Sequence, residues 1–596
     1  MTNVEQYSTD ELLLKGKKLR RQLSAAEGLR PVRIAVLGGS TTQELVDLLE
    51  IFLLASGFRP AFYQSEYGRY YEDAVIDSEA LVGFAPDIVY IHTSVLNLQE
   101  FPPVGATPAD LAASVEAELA RFRHIWSALE EKLPAQIIQN NFELPPYAAL
   151  GNLDAVAAGG ATRFVTELNA AFARAADADP RLLLQDVNSI SARVGLDRWF
   201  DHSRYCSYKI TTTPDGSVAL ARSLAAILRA IYGRAFKVLV LDLDNTLWGG
   251  VIGDDGADRI QIGRETPLAE AYTAFQEYCL ALQRRGVLLA VASKNNEEVA
   301  KQGFEHPDSV LTLTDFACFK ANWEPKHENI MAIARELNLG VDSFVFVDDN
   351  PAERALVAAQ LPEVAVPDVG ADVTEFAKAI DRGRYFEAIA LSAEDLERAA
   401  QYQANATRTQ AEAKFANYGE YLDSLEMVAE IDRFKPVYIE RIAQLTNKSN
   451  QFNLTTRRYT LAEMEAIARD PNYIGIYGRL TDRFGDNGLI SIVLGRREGV
   501  ALHLDLWLMS CRVLKRDMEL AMLDAVVEQA TAAGVRTLCG LYLPTKKNGM
   551  VADHYEKLGF TLGSRDAETG ASEWTLDITG YEPRNTHIKV LELVNG

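Results

Sequence analysis

Three apolar runs in the middle of the chain, FKVLVLDLD (236–244), VLLAVASKN (287–295) and SFVFVDDN (343–350), each end in polar residues able to do chemistry. Apolar runs of this length without alternation fit strands buried on both faces, as in a parallel sheet covered by helices. The carboxyl ends of such strands are where these sheets bind ligands. Residues 235–380 are therefore read as an α/β domain with a site along one sheet edge.

The rest of the chain is organised around that domain. At 596 residues it is too long for one core, and the length implies three to four domains. Residues 1–230 alternate short apolar runs with helical stretches, as in RIAVLGGST (33–41), DIVYIHTS (87–94) and QIIQNNFE (136–143), which predicts a second parallel α/β domain. An Ala-, Glu- and Arg-rich helical connector spans 381–430. Residues 431–596, with strands near YIGIYGRL, GLISIVLG and ALHLDLWLM and a helix over Arg516–Ala533, read as a mixed α+β domain. The fold class is thus multidomain α/β.

A 48% hydrophobic fraction without any run of about 18 apolar residues points away from a membrane span. The first 23 residues have no secretory apolar run and read as an amphipathic helix. A net charge of −23 argues against nucleic acid as a partner, though not against a small phosphorylated substrate. Five scattered cysteines without CxxC spacing indicate neither a disulfide framework nor a zinc site, so a reducing cytoplasm is the expected setting.

The first run delivers Asp242 and Asp244, two carboxylates placed to face one metal and one substrate. Alone, such a pair is usually two solvated loop acids. Here Ser293 ends the second run, Lys326 opens a helical pattern in WEPKHENI, and Asp348 and Asp349 end the third. This ordered set resembles the haloacid dehalogenase (HAD) superfamily over about 130 residues. The resemblance implies Asp242 as nucleophile and Asp244 as general acid/base. It implies Ser293 and Lys326 on the phosphoryl group, with Thr246 and Lys294 as further phosphate-binding candidates. Mg²⁺ would be held by Asp242, Asp244 (through its backbone carbonyl), Asp348 and Asp349. Only 50 residues separate Asp242 from Ser293, and 32 separate Ser293 from Lys326, so neither gap holds a cap domain. An uncapped site is open enough for a substrate carried on a protein.

In the last domain a strand leads into Ser510-Cys511-Arg512-Val513-Leu514-Lys515-Arg516 and then a helix. The order resembles acetyltransferases of the GNAT fold, in which the turn and the helix amino terminus hold a coenzyme A pyrophosphate. Here Lys515 and Asp517 stand where glycines are usual. A cationic neighbour and a helix amino terminus both lower a thiol's pKa, which makes Cys511 a candidate nucleophile; buried packing is the plain alternative for a lone cysteine. LDLDNTLWGGVIGDDG (241–256), TNKSNQFNLTTRRYT (446–460), DRFGDNGLISIV (482–493), SCRVLKR (510–516) and PTKKN (544–548) together resemble the FkbH family. That resemblance implies loading of a glyceryl unit from 1,3-bisphosphoglycerate onto an acyl carrier protein. Asn447, Asn450, Asn453, Thr456, Arg457 and Arg512 are candidates for its substrate pocket, with loop capping and turn formation the alternative for each.

The turn LGGSTTQ (37–43) faintly resembles GDS-type (SGNH) serine hydrolases, with Ser40 as the serine. Gly39 precedes it where that family has Asp, and Asp201-His202 replaces its Asp-x-x-His; His92 and Asn97 are other candidates. A structural or carrier-docking role is favoured for this domain. Two further readings of the whole chain stand beside the glyceryl one. The first is a HAD phosphatase fused to a coenzyme A-dependent N-acetyltransferase, which would not need Cys511. The second is a docking scaffold without catalysis, which the full catalytic set in the middle domain opposes.

Overall fold

The computed structural model describes residues 4–591 apart from 392, 397–400, 403–407, 409–414, 416, 450, 511–512 and 546. The chain divides into two compact units, Met1–Arg229 with Thr460–Glu463, and Ala230–Tyr459 with Met464–Gly596. Among the described residues no helix is long and apolar enough to cross a membrane.

The first unit is built on five parallel strands: β1 (Arg30–Gly38), β2 (Phe58–Gln64), β3 (Ile88–His92), β4 (Gln136–Asn140) and β5 (Leu182–Gln185), in the order β2-β1-β3-β4-β5. Its three expected strands are present, and β1 is followed by the helix Gln43–Ala55. Ala35, Leu37, Val89, Ile91 and Ile137 share a core with Phe122, Trp126 and Phe172 from the helices Pro108–Lys132 and Ala161–Ala178. The amino-terminal stretch forms the helix Thr9–Ser24, opened by a capping box between Ser8 and Glu11 and burying Leu12, Leu19 and Leu23.

The second unit holds two sheets. The first consists of β6 (Val238–Leu241), β7 (Leu288–Ser293), β8 (Phe316–Ala321) and β9 (Phe344–Val347), all parallel, ordered β8-β7-β6-β9. Both faces are buried. Leu239, Leu241, Leu289, Val291, Val345 and Val347 pack with Phe275, Cys279 and Leu282 of the helix Pro267–Arg284. Val238, Val240, Leu288, Ala290, Phe344 and Phe346 pack with Ile330 and Ile333 of the helix Lys326–Glu336. That two-sided burial is why the runs lack alternation. The register pairs Leu241 with both Val291 and Val347, so three polar strand ends emerge at one edge. Between Asp242 and β7 the chain makes only the short helix Ile252–Asp255 and the helix Pro267–Arg284, and no cap.

The second sheet has eight strands. They are β10 (Val428–Arg433), β11 (Tyr473–Asp482), β12 (Gly485–Glu498), β13 (Ala501–Met509), β14 (Thr537–Tyr542), β15 (Thr561–Arg565), β16 (Ser572–Asp577) and β17 (Lys589–Val590), ordered β15-β16-β14-β13-β12-β11-β10-β17. The pairings are antiparallel except β13 with β14 and β10 with β17. The helix expected over Arg516–Ala533 runs from Met518 to Ala532. It starts late because Lys515 and Asp517 adopt left-handed backbone (φ 62° and 56°), which a helix cannot include.

Candidate active site

At the edge of the four-stranded sheet, Asp242 follows β6, its amide bonded to the Val347 carbonyl at 3.0 Å. Lys326, the first residue of its helix, places its ammonium 2.9 Å from Asp242 Oδ2 and 2.5 Å from Asp348 Oδ2. Carboxylate oxygens of Asp242, Asp348 and Asp349 all lie within 4.8 Å of one another. Asp242 Oδ1 is buried without a hydrogen-bond partner. Ser293 ends β7 as a buried residue, and its carbonyl is held by the Asn322 amide at 3.1 Å.

Three carboxylates around one ammonium leave unmatched negative charge in a largely buried place, which is costly without a cation. Burial, followed by the charge of Asp242, pushes Asp348 up to about 6 and raises Asp349 as well. Burial opposes the charge on Lys326, but Asp242 and Asp348 outweigh it and hold the ammonium above its usual range. An oxygen-only donor set with an orphaned buried oxygen and excess negative charge fits a hard divalent cation.

Asp244 stands apart from that cluster. Its carboxylate accepts from Trp248 Nε1 (3.0 Å), the Ile252 amide (3.1 Å) and Asn295 Nδ2 (2.8 Å), and burial raises its pKa. Its side chain is therefore not a metal donor in this conformation, which leaves its backbone carbonyl for that part. Thr246 accepts from the Asp349 amide at 3.2 Å and lies 3.4 Å from Asp349 Oδ1, so it holds the acidic turn. Lys294, expected on phosphate, is instead paired with Glu353 at 2.6 Å, a nearer anion than the sheet edge offers. Sequence reasoning missed Arg354. Its guanidinium donates to the carbonyls of Asp348 (2.7 Å) and Asp349 (2.8 Å), fixing the turn from the helix that follows.

In the carboxyl-terminal domain Cys511, Arg512 and Asn450 lie outside the described residues. Strands β13 and β14 pair only from Ala501–Thr537 to Leu504–Gly540. Beyond that, Phe452, Asn453 and Leu454 fill the opening between them. Leu454 N donates to the Trp507 carbonyl (3.1 Å), Met509 N to that of Phe452 (3.0 Å) and Leu543 N to that of Leu454 (2.9 Å). Asn453 is fully buried and its Oδ1 accepts from the Thr456 amide, while Asn548 Nδ2 donates to the Asn453 carbonyl at 3.0 Å. These asparagines build the backbone rather than line a pocket, because a short inserted segment needs side chains to satisfy its ends. Arg457 pairs with Asp505, the residue β13 leaves unpaired where its register shifts. Asn447 Nδ2 donates to the carbonyls of Ala443 and Tyr459, and its Oδ1 is buried without a partner.

In the first unit Ser40 is buried after β1. His92 bonds Tyr90 (3.1 Å), Asp201 caps a helix through the Arg204 amide, and His202 Nε2 faces Cys206 Sγ at 3.6 Å. None of these contacts forms a serine–histidine–acid line. Asn97 Nδ2 donates to the Gly39 carbonyl at 3.0 Å, bracing the turn.

A four-stranded parallel sheet carrying Asp242, Asp244, Ser293, Lys326 and the Asp348–Asp349 pair at one edge defines a domain of the HAD phosphotransfer class. No family model matches the sequence, and no curated protein does. Among solved structures, the N-terminal part of the protein BF1531 from Bacteroides fragilis, containing a phosphatase domain and complexed with Mg, is 32% identical, with a TM-score of 0.59, covering 63% of this chain and 99% of that one. The chain belongs to the family of that phosphatase-domain protein. The ribosomal-protein-S18-alanine N-acetyltransferase of Escherichia coli matches at 12% identity and a TM-score of 0.21, over 27% of this chain and 99% of that one. A GNAT-family acetyltransferase of Streptococcus pneumoniae matches at 17% and 0.21, over 25% and 99%.

Proposed function

We propose that the protein is a Mg²⁺-dependent phosphatase fused to an acyltransferase, and that it forms a glyceryl thioester on an acyl carrier protein from 1,3-bisphosphoglycerate. The observation that carries the phosphatase half is the buried, partnerless Asp242 Oδ1 beside Lys326 and the Asp348–Asp349 pair. Asp242, Asp348, Asp349 and the Asp244 carbonyl would hold the metal, which when bound draws charge from the phosphoryl oxygens. Lys326 neutralises what remains, so a carboxylate is able to approach a phosphate dianion. Asp242 attacks phosphorus, the ester P–O bond breaks, and Asp244 gives its proton to the departing alkoxide. Water then attacks the aspartyl phosphate, Asp244 takes a proton back, and phosphate leaves Asp242.

The acyl half starts with the Cys511 thiolate at the carbonyl of the acyl phosphate. The C–O bond to phosphate breaks, leaving a 3-phosphoglyceryl thioester that the Asp242 site dephosphorylates. A phosphopantetheine thiol then displaces Cys511 and carries the glyceryl group away. The substrate follows from the FkbH resemblance. One feature supports a protein thiol over bound coenzyme A. Asp517 puts a carboxylate at the N-cap of the helix Met518–Ala532, where a pyrophosphate would have to lie.

Intact-protein mass spectrometry after mixing with 1,3-bisphosphoglycerate, Mg²⁺ and a phosphopantetheinylated carrier tests the whole scheme. The wild type yields glyceryl-carrier, Asp242→Asn stops at a phosphoglyceryl adduct on the enzyme, and Cys511→Ala shows no adduct. Acetyl transfer from acetyl-coenzyme A in place of glyceryl transfer supports the N-acetyltransferase reading instead. Monoester cleavage at the wild-type rate in Asp242→Asn removes the nucleophile assignment.

A further inference from the structure

Asp244 has to direct one oxygen at the departing group, so something must set its rotamer. Its Oδ1 is fixed by the chain that follows it, through Trp248 Nε1 and the Ile252 amide. Its Oδ2 is held from a different strand. Asn295, two residues beyond β7, donates to it from 2.8 Å and is 4% exposed. Capping of the next helix is done by Asn296, whose Oδ1 accepts from the amides of Glu298 and Val299. Asn295 is thereby left to face inward. Trp248 is fully buried and stacks edge-on against Phe304 at 5.3 Å, which fixes the other anchor in the core.

We infer that Asn295 is a positioning residue for the acid/base step: its amide keeps the Asp244 carboxyl turned away from the acidic cluster and toward the leaving oxygen. The inference rests on the proposed roles of Asp242 and Asp244 and adds a residue neither the HAD motif set nor the comparisons assign. Its chemistry predicts a dependence on the leaving group. An alkoxide needs a proton as it departs, whereas a nitrophenolate leaves without one. The quantity kcat/KM covers only steps up to that departure.

The test compares kcat/KM of the full-length enzyme with Mg²⁺ on glycerol 3-phosphate and on p-nitrophenyl phosphate. For Asn295→Ala the alkyl ester loses roughly 10- to 100-fold, a fraction of what general acid catalysis supplies, while the aryl ester stays within about twofold. A pre-steady-state burst of nitrophenol appears, because the aspartyl phosphate now waits for a misdirected base. Asn295→Leu keeps the packing volume, removes the donor without adding a charge beside Asp244, and gives the same selective loss. Equal losses on both esters, or no loss on either, overturn the inference. Turnover of the aryl ester by Asp242→Asn would instead overturn the parent reading, so the two failures are distinct.

Discussion

Asp482 binds two guanidiniums in the core of the carboxyl-terminal domain. Its oxygens lie 2.7 Å from Arg408 and 2.9 Å from Arg516, and all three side chains are buried. Burial first, and then the charge of Arg408, pushes Arg516 down to about 10. Removing the carboxylate would leave two like charges facing each other. Asp482→Ala is therefore expected to lose on the order of 3–5 kcal/mol of stability, measured by urea unfolding. An undiminished midpoint would show that other groups compensate. The sequence displayed Asp482 only as part of a motif, because Arg408 lies 74 positions upstream and no local pattern links them. Asp242, Ser293 and Asp348 were legible for the opposite reason. Each ends an apolar run, so the strand itself announces where the side chain emerges. Arg354 acts across a turn from the helix that follows and had no such signal.

At the scale of elements, the strands of the four-stranded sheet could be read from the sequence and the plug between β13 and β14 could not. Phe452–Leu454 is too short for a strand pattern, and its polar neighbours look like a ligand pocket until Asn453 and Asn548 are seen bonding backbone. The loop after β8 holds the opposite surprise. Between Asn322, which bonds the Ser293 carbonyl, and Lys326 it carries Trp323 at 76% exposure. A tryptophan left in water beside an uncapped site is suited to contact a macromolecule bearing the phosphoryl group, and such residues dominate contact energies. Trp323→Ala is expected to lower kcat/KM about tenfold or more for protein-borne phosphoglyceryl substrate. Small phosphate esters should be turned over unchanged, since Trp323 is exposed and is not one of the charged groups gathered around Asp242, Asp348 and Asp349. A parallel fall on both substrates would mean that the residue shapes the site instead.

For the molecule as a whole, alternating strands and helices made the α/β class legible, yet burial of individual polar groups was not, and burial governs how stability responds to pH. In the first unit, burial lowers His92 from 6.5 to about 4 and raises Glu143 from 4.5 to about 7. Tyr90 donates to Gln185 Oε1 at 2.6 Å and so accepts from His92 Nδ1, which suits a neutral imidazole. Between pH 4 and 6.5 the unfolded chain protonates the histidine and the folded one does not, so stability from His92 is lost as pH falls. Between pH 4.5 and 7 the folded chain keeps the Glu143 proton that the unfolded chain gives up, so stability from Glu143 is lost as pH rises. The two slopes oppose each other across pH 4.5–6.5 and largely cancel in the wild type. Glu143→Gln removes one of them. Relative to wild type, its stability should rise with pH across that window by on the order of 2–3 kcal/mol. His92→Asn should show the reverse trend. Amide hydrogen exchange of peptides from β3 and β4, followed from pH 4.5 to 7 after correction for intrinsic rates, reads both. Parallel curves for wild type and Glu143→Gln would mean that the carboxyl titrates in the folded protein as it does in water.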